Sequence, residues 1–187
     1  RGVVAAAQAL KPAAVASPQP VDRVVTAIDQ RRTTILDALA SARQRIGLSL
    51  YRCTDKAVFE ALAAAVRRGV TVDAIVSSRL KGGKKDLRRL SDALSRCGVS
   101  VHPYLDPVVK YHAKYLVADE STAIITTLNP TRKCFSRTWD AVLITPDPSV
   151  VKGLLTLFKA DAAGVPLPSR RPLGRRLIVG PERSRAE

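Results

Sequence analysis

Histidine and cysteine are scarce in this chain, methionine is missing, and acidic side chains are outnumbered. The two histidines, His102 and His112, lie far apart, and Cys53, Cys97 and Cys134 form no Cys-x-x-Cys pair, so the spacing of a zinc site is absent. Three widely separated thiols exclude a dense disulfide framework and read as buried side chains. No apolar run approaches the ~18 residues that cross a bilayer, which leaves a soluble or membrane-peripheral protein. Asp and Glu total 16 against 31 Lys and Arg, a net charge of +15. A field of that sign attracts polyanions: nucleic acid, an anionic membrane surface or phosphorylated small molecules. An Arg-rich compositional bias gives the same balance with no partner, and charge alone does not separate DNA from anionic lipid. What the chain does have is 187 residues, 46% of them apolar. That suffices for one domain with a proper core and excludes a disordered basic tail.

Composition divides the chain into three parts. Residues 1–20 are rich in Ala, Val and Pro and carry no acid, which reads as a linker or the remnant of a processed leader. Without an initial Met, the chain reads as a mature or truncated product. Residues 21–164 are regular, opening with an apolar lead-in at Val24, Val25 and Ile28. Helices are expected over Thr33 to Gln44, Lys56 to Arg68, Lys84 to Cys97, and from a cap at Asp147 to about Ala162. Strands are expected over Arg45 to Cys53, Thr71 to Ser78, Val99 to Leu105, Tyr111 to Asp119, Thr122 to Asn129 and Thr138 to Thr145. Asp106-Pro107 reads as a turn, and the short gap at Glu120-Ser121 predicts a hairpin. Helices alternating with strands, followed by a hairpin, predict an α/β fold: a three-layer α-β-α sandwich around a central mixed sheet. Residues 165–187 are Pro- and Arg-rich, a linker by composition. They end in LIVGPERSR, which reads as the opening of a second repeat.

One segment carries chemistry. In Tyr111-His112-Ala113-Lys114-Tyr115-Leu116-Val117-Ala118-Asp119, His112 and Lys114 stand two apart in a β-prone run, so they share a strand face. Tyr111, Ala113, Tyr115 and Val117 then face a core. Asn129 follows ten residues after Asp119. The joint spacing arises by chance in roughly one chain in two thousand of this length. This pattern resembles the HKD motif of the phospholipase D superfamily. The family's Gly-Ser-x-Asn box reads Thr126-Thr127-Leu128-Asn129 here, with a hydroxyl kept at Thr127. The family's later carboxylate, usually Glu, is matched by Asp140 in Thr138-Trp139-Asp140. The resemblance runs from about Val21 to Ala163 and implies the phospholipase D/nuclease-like fold.

It also implies catalytic His112, Lys114, Asp119 and Asp140, with Lys114, Asn129 and Thr127 binding substrate. A neutral imidazole attacks phosphorus if a carboxylate holds the proton on its other nitrogen. Asp140 is the candidate for that carboxylate. Lys114 and Asn129 would hold the non-bridging oxygens. No metal or other cofactor is called for. Read by itself, Asp119 bonds backbone or a neighbouring side chain at the strand end. His102 reads as structural. Trp139 reads as core rather than a stacking platform, and the Lys81 to Lys85 loop and Arg132-Lys133 read as solvated charge. The leaving oxygen needs a general acid, which the family takes from the histidine of a second motif. This chain has one His-x-Lys, so either two copies pair or a C-terminal repeat supplies the other half. Two functions remain open: a phosphodiesterase acting on phospholipid or nucleic acid, and a catalytically silent basic module that binds nucleic acid or an anionic membrane.

Overall fold

The computed structural model describes residues 21–80, 82–104, 111–168, 173–174 and 176–180. The expected linker over residues 1–20, Lys81, the Asp106-Pro107 turn and the end of the tail lie outside them. Among the described residues seven strands form one sheet: β1 (Arg23–Val25), β2 (Arg45–Leu50), β3 (Thr71–Ser77), β4 (Ser100–Tyr104), β5 (Tyr115–Ala118), β6 (Thr122–Thr126) and β7 (Val142–Thr145). Their order is β1-β7-β6-β5-β2-β3-β4. The β2, β3 and β4 strands run parallel, and every other neighbouring pair is antiparallel. The helices are α1 (Arg31–Ser41), α2 (Lys56–Arg67), α3 (Gly83–Arg96), a short α4 (Arg132–Ser136) and α5 (Pro148–Ala163). The mixed sheet with helices on both faces is the expected α/β sandwich.

Alternation along the strands divides the core between the two faces. Ile46, Leu48, Val72, Ala74, Leu116 and Ile124 pack with Ile35 and Leu39 of α1, Val58 and Leu62 of α2, and Leu90 and Leu94 of α3. Ile75, Tyr115, Val117 and Ala123 pack on the opposite face, against Val150, Val151, Leu154 and Phe158 of α5. Asp147 caps α5 by accepting from the Ser149 amide at 2.8 Å, and Pro148 follows it in the first turn. Gly164 ends the helix at φ 67°, a conformation that suits glycine. The expected hairpin forms between β5 and β6. Asp119 and Glu120 take φ of 50° and 55° in its turn, which the Ser121 amide closes on the Ala118 carbonyl at 3.1 Å.

Several boundaries differ from the sequence reading. The apolar lead-in contains a three-residue edge strand, β1, paired with β7. The strand expected from Tyr111 begins at Tyr115, so His112 and Lys114 precede it. Ala113, expected in the core, is exposed. The strands expected to run to Asn129 and from Thr138 are β6 and β7, which stop and start short of the candidate site residues. Cys53 is buried, and burial pushes its thiol up to about 12, while Cys97 and Cys134 are half-buried and all three are free. In the expected linker, Leu173 is buried, and a Cβ on Gly153 of α5 would stand 2.0 Å from the Leu173 carbonyl oxygen. Arg176 bonds the carboxylates of both Asp22 and Asp147. That part of the tail is packed onto the domain.

Candidate active site

The β2, β3 and β4 strands end at one edge of the sheet, β6 also ends there, and β5 and β7 begin there. Ligands of open α/β sheets bind beyond the carboxyl ends of the parallel strands, where connections diverge to either side. The divergence here falls between β2 and β5. Tyr51, Lys114, Asn129 and Asp140 all lie just beyond strands at this edge.

The His112 backbone is fixed on both sides. Before it, the Tyr111 hydroxyl donates to Asp161 of α5 at 2.7 Å, and its ring packs on Tyr104 with centroids 4.4 Å apart. Burial first, then Tyr115 and Asp161, push the Tyr111 phenol far above its ordinary range. After it, the Ser49 hydroxyl of β2 donates to the Ala113 carbonyl at 2.8 Å. The Thr126 amide donates to the Lys114 carbonyl at 3.0 Å, so Lys114 enters the sheet between β2 and β6.

The His112 ring is exposed, while Lys114 is 7% exposed. Lys114 Nζ lies 3.1 Å from His112 Nδ1, 3.2 Å from Nε2 and 2.7 Å from the His112 carbonyl oxygen, to which it donates. It lines an apolar cavity together with Leu48, Leu50, Leu116 and Leu128. Burial lowers the Lys114 pKa, while the neighbouring Cys134 and Asp140 raise it. Tyr51 completes this wall. Its ring meets the imidazole edge-on at 4.4 Å and 66°, and Lys114 Nζ lies 5.5 Å from its centroid. The sequence reading missed Tyr51, whose signal was only its place at the end of β2.

Asn129 is held through its neighbours. The Thr54 and Asp55 amides donate to the Pro130 carbonyl at 2.9 and 3.1 Å. Asp55 caps α2 at the Val58 amide and accepts two bonds from Arg32, at 3.0 and 3.1 Å. Asn129 Oδ1 is buried with no hydrogen-bond partner among the described residues, which leaves this amide with hydrogen-bonding capacity to spare.

Asp140 is held by two hydroxyls. Thr127 donates to Oδ1 at 2.8 Å, and Thr138 donates to Oδ2. Thr127 Oγ1 also accepts from the Ala141 amide at 3.0 Å. In the family's Gly-Ser positions, then, Thr126 bonds the Ala141 carbonyl at 3.0 Å and Thr127 grips the carboxylate.

Asp119 is not gathered with these residues. It lies at the opposite end of β5 and accepts from the backbone amides of Arg43 (2.8 Å), Gln44 (2.8 Å) and Arg45 (3.0 Å). Burial alone would raise its pKa; the three amides and the Arg43 charge outweigh that and lower it. Both its oxygens are thus engaged by backbone at the strand end, the structural place that Asp119 reads as having by itself. His102 bonds Asp73 at 3.0 Å. Trp139, expected in the core, is 100% exposed beside Asp140. Arg132 and Lys133 are exposed on α4.

An imidazole and a buried ammonium, with an amide and a clamped carboxylate at the same sheet edge, define a centre of anion-handling character. The family model described as "Cardiolipin synthase, PLD-like domain" matches residues 35–162. The chain belongs to this phospholipase D-like domain family. No curated protein matches it. Among solved structures it is similar to Nuc, a phospholipase D family member from Salmonella typhimurium (TM-score 0.67, 22% identity, 76% of this chain and 94% of that one). It is also similar to NucT from Helicobacter pylori (TM-score 0.65, 14% identity, 76% and 96%). A third likeness is to phosphatidylserine synthase from Haemophilus influenzae (TM-score 0.57, 15% identity, 75% and 36%). At these identities the likeness shows the fold.

Proposed function

We propose that the chain is a phosphodiesterase that cleaves through a covalent phosphohistidine at His112. The carrying observation is the Lys114 ammonium within 3.2 Å of both imidazole nitrogens, at the edge shared with Asn129 and Asp140. Family membership supports phosphodiester chemistry in general. A ring nitrogen of His112 forms a bond to phosphorus as the bond to the leaving oxygen breaks. That oxygen takes a proton from the histidine of a second motif. Water deprotonated by that same histidine then attacks phosphorus, the P–N bond breaks, and His112 is regenerated. Lys114 and the Asn129 amide hold the non-bridging oxygens, where charge grows in the transition state. Burial keeps the ammonium from exchanging that role with water. Asp140, gripped by Thr127 and Thr138, orients a histidine ring, so the proposed substrate role of Thr127 acts through Asp140. The second motif comes from a second copy or from a C-terminal repeat. Phosphodiesters of either phospholipid or nucleic acid fit this chemistry.

The test is release of headgroup from phosphatidylcholine, or nicking of plasmid, in EDTA by the paired protein, with an acid-labile phosphate trapped on His112. No turnover of either substrate by a folded assembly with both motifs present removes the proposal. The catalytically silent module has one specific support: a lone His-x-Lys, with the Thr127 hydroxyl already committed to Asp140. His112→Ala separates the two readings. As an enzyme the variant loses turnover and keeps salt-sensitive binding; in a silent module only removal of cations has an effect.

A further inference from the structure

Trp139 is the chain's single tryptophan and is 100% exposed. A whole indole left in water forfeits the burial that makes aromatic residues valuable to a core. A mobile loop does not explain the exposure, because the backbone on both sides is clamped. The Arg31 guanidinium, on a residue 2% exposed, donates to the Thr138 carbonyl at 2.7 Å and to the Thr26 carbonyl at 2.6 and 3.1 Å. On the other side, the Ala141 amide donates to Thr127 Oγ1 at 3.0 Å, and the Thr127 amide donates to the Ala141 carbonyl at 3.2 Å. The indole therefore projects from a fixed point next to the clamped carboxylate.

Its surroundings are cationic. Arg132, Lys133 and Arg137 are exposed, and no acidic residue lies between Asn129 and Asp140. We propose that Trp139 is a stacking platform for a base of a single-stranded polynucleotide. With a phosphodiester of that strand at His112 and Lys114, a neighbouring base lies on the indole, and the cations meet the flanking phosphates. An exposed π face beside cations is how proteins hold single strands without reading sequence. The inference rests on the phosphodiesterase reading for the place of the scissile phosphate, and it selects nucleic acid from the two substrate classes. Where a second copy supplies the histidine that meets His112, its docking on the indole as well would set the exposed Arg132, Lys133 and Arg137 of the two copies against each other. A membrane surface would meet the indole and, on the segment that Arg31 ties to Thr138, the exposed aliphatic side chains of Val24 and Ile28, whereas a stacked base uses the flat indole face beside the cations.

With one tryptophan, intrinsic fluorescence reports on this position alone. The full chain carrying His112→Ala, which prevents turnover, is titrated with a short oligothymidylate and, separately, with inorganic polyphosphate as a base-free polyanion. Oligothymidylate is expected to quench the emission. Trp139→Ala is expected to weaken oligothymidylate binding about tenfold while leaving polyphosphate binding unchanged, and Trp139→Phe to fall between. The exposed position keeps these variants folded. The proposal is overturned by unchanged emission at saturating oligothymidylate, or by equal weakening toward polyphosphate. It is equally overturned if emission shifts blue with rising protein concentration as the mass doubles, or shifts only with phosphatidylglycerol vesicles. Binding is read in a variant that cannot turn over, so a failure of hydrolysis in the wild type leaves this result standing, and the reverse also holds.

Discussion

Replacing Asp119 by alanine should unfold the protein at lower temperature without reaching the chemistry. Its carboxylate accepts three backbone amides, from Arg43, Gln44 and Arg45. These bonds lie at the surface, where freed amides can find water, so each contributes about 0.5–1 kcal/mol rather than the full penalty of a buried orphan. Alanine at the φ of 50° held by Asp119 adds about 1 kcal/mol of left-handed strain. The sum is about 3 kcal/mol, which for a chain of this size lowers the melting temperature by roughly 6–12 °C. Asn, which keeps one acceptor oxygen and tolerates this conformation, should recover about half. The pH dependence has a defined sign. The folded pKa lies below 3.8, so the carboxylate's contribution is complete well above pH 3.8 and is lost as pH falls through the lowered folded value. The gap between wild type and Asp119→Ala should therefore shrink in acid to the pH-independent backbone strain. Calorimetry and turnover per folded molecule check this together. A hundredfold loss of turnover with an unchanged melting temperature would refute the anchor reading and return Asp119 to the catalytic set.

Lys114→Met should abolish turnover while leaving stability equal or higher at neutral pH, because a 7% exposed ammonium is removed. The folded Lys114 pKa lies below 10.5, so the wild type should gain on this variant as pH rises from that lowered value to 10.5 in denaturant titrations. Thr127→Val removes the hydroxyl that holds Asp140 Oδ1 and should lower kcat about tenfold or more with little change in melting temperature, read by steady-state kinetics. Asp147→Ala should lower the denaturant midpoint through the lost cap of α5 and leave Arg176 bonded to Asp22 alone, seen in chemical denaturation.

Where local rules decide the structure, the sequence already displayed it. The apolar spacing of α2 and α3, the Asp147-Pro148 start of α5 and the Glu120-Ser121 hairpin follow from periodicity, capping and turn chemistry. The pairing of His112 with Lys114 was legible for a reason that is only half right. They do meet, but outside the strand, where Tyr111 bonds Asp161 and Ala113 bonds Ser49 to hold the segment. Those bonds reach across sheet and helix, and no local pattern announces them. Three-residue β1 and five-residue α4 are too short to show a period. Trp139 was misjudged because composition rules send aromatics to the interior, whereas Tyr51 is buried as those rules expect and was missed because its place at the site is set by where β2 ends. Arg31, just before the helix expected from Thr33, is a buried tie between two carbonyls that no local pattern announces.

The missing side chain at Gly153 has a practical corollary. It opens a notch on the outer side of α5 that admits the Leu173 main chain, and Leu177 rests against the same apolar cluster. Trimming the protein at Gly164, where composition suggests a natural stop, would strip a fitted cover from greasy helix surface and invite clumping. A shortened version meant for crystals or assays should keep everything through Gly180.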